Sequence, residues 1–269
     1  MLSIHGLRCV AGGKPVLQDI TIDFAPGQLH VIVGPNGSGK STFLKAFSGE
    51  WPIASGEVLY DGAALSVLDK TSLARRRAVM SQLPELHFPL RVEEIVLMGR
   101  YPHFAFEATR ADHQICRAAM ERLSITGLAG RDYLTLSGGE RQRVQFARAL
   151  AQIWDAPSAG CRYLFLDEPV SSLDIYYQHE LLEVARELVR EQVVLIAVLH
   201  DLNLAMQYAH RMLFLRQGIL VAEGPVPEVV KPELIREVFQ IDARLLPDPE
   251  GRRPAIVYGQ TDQFPAARG

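Results

Sequence analysis

Few folds accommodate the run Gly34-Pro35-Asn36-Gly37-Ser38-Gly39-Lys40-Ser41. It fits G-x-x-x-x-G-K-[ST], and it lies between an apolar stretch at residues 29–33 and a helical pattern over 41–48. A strand that ends in such a loop and turns into a helix aims backbone N–H groups and a helix N-terminus at one point, which suits a phosphate. The glycines let the backbone wrap closely around it. Lys40 is expected to reach β- and γ-phosphates and the Ser41 hydroxyl to hold Mg²⁺. Residues 34–42, Thr42 included, are the candidate nucleotide-binding segment.

A second signal is Tyr163-Leu164-Phe165-Leu166-Asp167-Glu168. The apolar runs at 163–166 and 193–199 suit strands buried on both faces of a parallel sheet. Ligands of open parallel sheets sit beyond the carboxyl ends of the strands, so Asp167 is expected beside the metal held by Ser41. Glu168 is then placed to orient or deprotonate a water. The competing reading is an acidic N-cap for the next segment. A third signal, Leu136-Ser137-Gly138-Gly139-Glu140-Arg141-Gln142, puts a hydroxyl and two glycines before a helical pattern. That is either another anion site at a helix N-terminus or a plain cap.

The rest of the chain supplies the setting. Residues 2–24 alternate apolar and polar and read as antiparallel strands, with another strand at 57–60. Helical spacing over 92–98, 110–123 and 140–153 predicts a helical subdomain. Residues 212–215 and 219–222 read as a hairpin, 225–240 as helical, and the last 25 or so as extended or frayed. The net charge of −3 argues against a general nucleic-acid coater, and 48% hydrophobic residues suffice for a packed core. Cys9, Cys116 and Cys161 form no C-x-x-C pair, so neither a disulfide framework nor a zinc site is expected. No signal peptide is expected, and no apolar run approaches the ~20 residues of a membrane span.

Residues 136–142 resemble the signature motif of ATP-binding-cassette ATPases. The order phosphate loop, Gln82, signature, Asp167-Glu168, Ser171-Ser172-Leu173-Asp174 and His200 is that family's order, over about residues 2–225. The resemblance implies an α/β P-loop NTPase with a mixed, largely parallel core sheet, an N-terminal antiparallel β subdomain and an inserted helical subdomain at about 85–150. It implies a nucleotide-binding domain over 1–240 and a C-terminal tail at 241–269. Gln82 resembles the glutamine that contacts Mg²⁺ and senses the membrane partner, and residues 171–174 a loop at the dimer interface. His200 follows an apolar strand, as the family's switch histidine does, and would hydrogen-bond the γ-phosphate. The implied catalytic residues are Glu168, His200 and Gln82, and the implied Mg²⁺ ligands are Ser41, Gln82 and Asp167. ATP would be shared in a head-to-tail homodimer, with Lys40 of one chain facing Ser137, Gly138 and Gly139 of the other, and Asp174 near the interface. Two permease subunits would be direct partners and a periplasmic binding protein an indirect one, at the cytoplasmic face of the inner membrane. No nucleic acid and no direct contact with cargo are expected.

Two departures stand out. The family stacks adenine on an aromatic residue where this chain has Ala11, and Ser172 stands where alanine is common. The run Gly99-Arg100-Tyr101-Pro102-His103 resembles importers of iron chelates, cobalamin and haem. Residues 73–79, with Arg75-Arg76-Arg77, and an insertion at 153–162 resemble the haem importers among them. A solvated helix face is the plain alternative for the arginine triplet, and His103 is expected on the surface facing the membrane subunit. Ferric siderophore or cobalamin is the alternative cargo. A soluble cassette ATPase is a more distant rival, since long coiled-coil insertions and a second phosphate loop are both lacking.

Overall fold

The alternation over residues 2–24 becomes two strands, β1 (Leu2–Ala11) and β2 (Lys14–Phe24), paired antiparallel from Leu2↔Phe24 to Ala11↔Lys14. The computed structural model describes residues 1–81, 88–248 and 253–259. After β3 (Leu29–Val33) and α1 (Lys40–Ser48), β4 (Ser55–Tyr60) returns to the free edge of β1, and β5 (Ala63–Ala64) completes the order β2-β1-β4-β5. Inward-facing residues are buried at Leu2 and Ile4 and, past a register shift, at Leu7 and Cys9 in β1, and at Leu17, Ile20, Ile22 and Phe24 in β2.

The second sheet carries the chemistry. Helix α2 (Lys70–Arg76) leads into β6 (Arg77–Met80). The insertion follows: α3 (Val92–Leu97), a 3₁₀ segment (Met98–His103), α4 (Arg110–Arg122) and α5 (Gly138–Gln152). The chain then returns through β7 (Arg162–Asp167), α6 (Ile175–Arg190), β8 (Val193–Val198), α7 (Leu202–Tyr208), β9 (Arg211–Arg216) and β10 (Ile219–Pro225). The strand order is β10-β9-β3-β8-β7-β6, parallel from β9 to β6, with β10 antiparallel at one edge. Strands β3, β7 and β8 are buried at every residue, because helices cover one face and the antiparallel sheet the other. Phe47, Tyr60, Tyr163 and Phe165 fill the space between the two sheets, with edge-on rings 4.9 Å apart for Phe47–Phe165 and 4.6 Å for Tyr60–Tyr163.

Two C-terminal expectations change in detail. The helical stretch at 225–240 is two helices, α8 (Val226–Val229) and α9 (Pro232–Phe239). Pro232 takes the first helical position, where its missing N–H costs nothing, so a new helix starts there. Within the stretch read as extended or frayed, β11 (Asp242–Leu246) and β12 (Ala255–Gly259) are extended but paired antiparallel, with Ile256 buried against the domain. Among the described residues no helix is long and apolar enough to cross a membrane.

Candidate active site

The phosphate loop joins β3 to α1. Gly39 is the N-cap of α1 at φ 100°, with no side-chain cap, so the first-turn N–H groups stay open. A Cβ on Gly34 would lie 2.1 Å from Leu215 O, so only glycine fits where the loop passes β9. Asn36 and Gly37 form the exposed tip, and Pro35 lies half-buried beside it. Lys40 is buried, and its Nζ donates to Gly34 O at 2.8 Å and Pro35 O at 3.0 Å. Burial lowers its pKa, against the opposing pull of Glu168 and Asp167. The buried Ser38 hydroxyl has no partner among the described residues. An ammonium resting on its own loop's carbonyls, an orphaned hydroxyl and an open helix end together suit an anionic ligand.

The end of β7 meets this loop. Ser41 Oγ donates to Asp167 Oδ1 at 3.1 Å. Burial raises the Asp167 pKa, with the Ser41 hydrogen bond working against it. A hydroxyl and a buried carboxylate beside a phosphate loop are hard oxygen ligands, which fit Mg²⁺. Glu168 follows at φ 54°, a left-handed conformation uncommon for a side chain of its size, and its N–H donates to Val198 O at 3.2 Å. That turn brings Glu168 Oε1 to 2.6 Å from His200 Nε2. His200 sits one residue past Leu199, whose N–H donates to Ile32 O at 3.2 Å. Lys40, Ser41, Asp167, Glu168 and His200 thus gather at the carboxyl ends of β3, β7 and β8. Thr42 lies half-buried in the first turn of α1. Gln82 falls outside the described residues.

The other motif residues stand apart. Ser137 caps α5: its Oγ accepts from Glu140 N at 3.2 Å, and Glu140 Oε2 accepts from Ser137 N at 2.8 Å. Gly138 and Gly139 pack on Ser172 and Leu173, where an added Cβ would come within 3.2 and 3.1 Å. Asp174 caps α6, accepting from Tyr177 N at 3.1 Å. A model of the ABC transporter family matches residues 17–171, more than half of the 269 residues. The chain belongs to the ABC transporter family.

Its ABC relatives include a hemin import ATP-binding protein, HmuV, of Hahella chejuensis, 42% identical over 257 residues, spanning 96% of this chain and 99% of that protein. HmuV of Gloeobacter violaceus is 43% identical over 257 residues, spanning 96% and 94%. Among solved structures, an inward-facing transporter described as metal-chelate type matches with TM-score 0.81 at 25% identity, over 98% of both chains. The dimeric bacterial ABC transporter cassette MJ0796 shares the fold, with TM-score 0.73 at 24% identity over 84% of this chain and 99% of that one. The chain is therefore a nucleotide-binding ATPase of the ABC family.

One residue of the ABC signature has a role that its motif did not disclose. Gln142 is buried; its Nε2 donates to Glu168 O at 3.2 Å and Ser171 Oγ at 3.1 Å, and its Oε1 accepts from Ser172 N at 3.0 Å. It ties the first turns of α5 to the turn holding Glu168. The available signal was a glutamine at helical spacing with Phe146, Ala149 and Ile153, all buried.

Within the run at 99–103, two side chains turn inward. Arg100 is buried, donating to Asp112 Oδ1 at 2.9 Å, Asp155 Oδ2 at 2.7 Å and Ala151 O at 2.9 Å. His103, expected on the face towards a membrane subunit, donates from Nε2 to Gln152 O at 2.8 Å, and its side chain is only 13% exposed. These two side chains knit the insertion together, while Tyr101 and Phe106 are exposed. The arginine triplet is divided, with Arg75 exposed and Arg76 and Arg77 partly buried. Arg75 donates to Pro102 O, Arg76 to Asp61 and Arg77 to Ser48 O.

Proposed function

We propose that this chain is the ATP-hydrolysing subunit of a bacterial importer, working as a head-to-tail pair under two permease subunits at the cytoplasmic face of the plasma membrane, with haem as cargo. The observation that carries the chemistry is the gathering of Lys40, Ser41, Asp167, Glu168 and His200 at three adjacent strand ends. The cargo reading draws on the near full-length likeness to hemin import proteins. It also draws on the resemblances at residues 73–79 and 99–103.

Lys40 would exchange its two carbonyl partners for β- and γ-phosphate oxygens. Ser41 and Asp167, with Gln82, would hold Mg²⁺, which neutralises phosphate charge during transfer. Glu168 orients the attacking water and accepts its proton. His200 exchanges Glu168 for the γ-phosphate and holds the water in line. Ser137, Gly138 and Gly139 would close on ATP bound by the partner copy, and Asp174 would lie near that interface. Each charge-assisted hydrogen bond is worth about 1.5–3 kcal/mol, so losing a few on hydrolysis reopens the pair. A periplasmic binding protein would act through the permease, and this chain would touch no cargo. Ferric siderophore or cobalamin is the alternative cargo, favoured by the metal-chelate type of the structural neighbour.

The test is reconstitution with candidate permeases and their binding proteins, with and without haem or a ferric siderophore. Stimulated ATPase and uptake with the haem set alone is the expected result. Stimulation by a siderophore set moves the cargo, and ATPase that no permease changes removes the importer.

A further inference from the structure

The C-terminal hairpin grips the helix that follows His200. Helix α7 has seven residues, and a helix that short is marginal without outside support. At its N-terminus Asp201 accepts from Asn203 N at 2.7 Å and Leu204 N at 3.1 Å. The hairpin then holds both ends. The Asn203 side chain pairs with one residue of β12, its Nδ2 donating to Ile256 O at 3.1 Å and its Oδ1 accepting from Ile256 N at 2.7 Å. Arg253, just before β12, donates to Met206 O and Ala209 O at the far end of α7, where a cation also suits the helix dipole. Ile256 and Ala243, one from each strand, are buried in the core that α7 joins. Tyr258 of β12 feels the Asp201 charge, which adds to burial in raising its phenol.

His200 has little packing of its own. Its side chain is 43% exposed, and its described polar contact is Glu168. On one side Leu199 is fixed to β3; on the other, Asp201 belongs to the cap of α7. The direction of the imidazole therefore follows the position of α7. We propose that the hairpin braces α7, so that Asn203 and Arg253 are positioning residues that aim His200 for ATP hydrolysis. The proposal rests on the ATPase reading above and adds a role for a segment outside the motif set.

The experiment uses the full-length chain with Asn203→Ala, Arg253→Ala and the conservative Arg253→Lys. Amide exchange over residues 202–208 should quicken in both alanine variants. Their kcat for ATP should fall about 5- to 10-fold with KM unchanged, since a small misplacement of an orienting group costs rate rather than binding. Arg253→Lys should recover most of the rate. In a His200→Ala background, Asn203→Ala should cost nothing further, which a general loss of stability would not reproduce. Unchanged exchange, unchanged kcat despite faster exchange, or an equal rate loss in the His200→Ala background each overturns the brace. A wild-type chain that hydrolyses no ATP removes the ATPase reading and the brace's catalytic role with it. Hydrolysis that stays intact in both alanine variants removes the brace alone.

Discussion

Gln142 shows how a single amide links two parts of the site. It supports the carbonyl of Glu168 and the backbone of Ser172 from a helix whose own first residues belong to the signature. Glu168 adopts a left-handed backbone, a conformation that persists only when its surroundings hold it. Gln142→Met keeps the volume and removes all three hydrogen bonds. Its kcat should fall about tenfold with ATP affinity retained, as an orienting contact is lost and phosphate contacts are kept. Steady-state ATPase and nucleotide titration check this; an unchanged kcat would leave Gln142 a packing residue. Lys40, Asp167 and Glu168 stood out in the sequence as candidates because phosphate and metal chemistry calls for those residue types at fixed spacing. Gln142 and Asn203 were not, because their partners lie 26 and 53 residues away.

Among the elements, the inserted helices depend on Arg100. It is 5% exposed at its side chain and faces the equally buried Asp112. Burial pushes the Asp112 pKa up, but hydrogen bonds from Thr109 and Arg100 outweigh it and hold the carboxyl at about 2. Arg100→Ala leaves that carboxylate unpaired and should cost about 3–5 kcal/mol in urea unfolding. Strand β3 carries its own pH response. Burial lowers His30 from 6.5 to about 4. Between those values the unfolded chain binds a proton that the folded chain does not, so stability falls as pH drops from 6.5 towards 4. The loss from this residue should reach about 3 kcal/mol. Urea titrations at both ends of that range should show a smaller drop for His30→Leu than for wild type, and equal drops would reassign the effect.

At the scale of the whole molecule, the motif set is split between two surfaces. Lys40, Ser41, Asp167, Glu168 and His200 share one site, while Ser137 and Asp174 spend their hydrogen bonds on capping α5 and α6. A second copy would bring Ser137 to ATP. Glu168→Gln should bind ATP, slow hydrolysis by about 10²-fold or more, and run as a dimer with ATP and a monomer with ADP. Light scattering after size exclusion reads this directly, and a monomer under both conditions counts against the shared-ATP arrangement.

The strand, tight loop and helix over residues 29–41 were readable in the chain because hydrophobic period and glycine placement are local, while the full fold class followed from the resemblance that the ordered motifs carry. The same locality exposed the candidate nucleotide-binding residues. What needed the folded molecule were relations across long stretches of chain. His200 reaches Glu168 because β7 and β8 are neighbours in one sheet. Arg100 turns inward because Asp112 and Asp155 converge on it from either side of α5. Residues 255–259 form a strand because β11 pairs with them, and Asn203 takes the remaining N–H and C=O of Ile256. Burial decides each of these: once water is excluded, a polar group takes whichever partner the packing brings, and sequence spacing does not encode that partner.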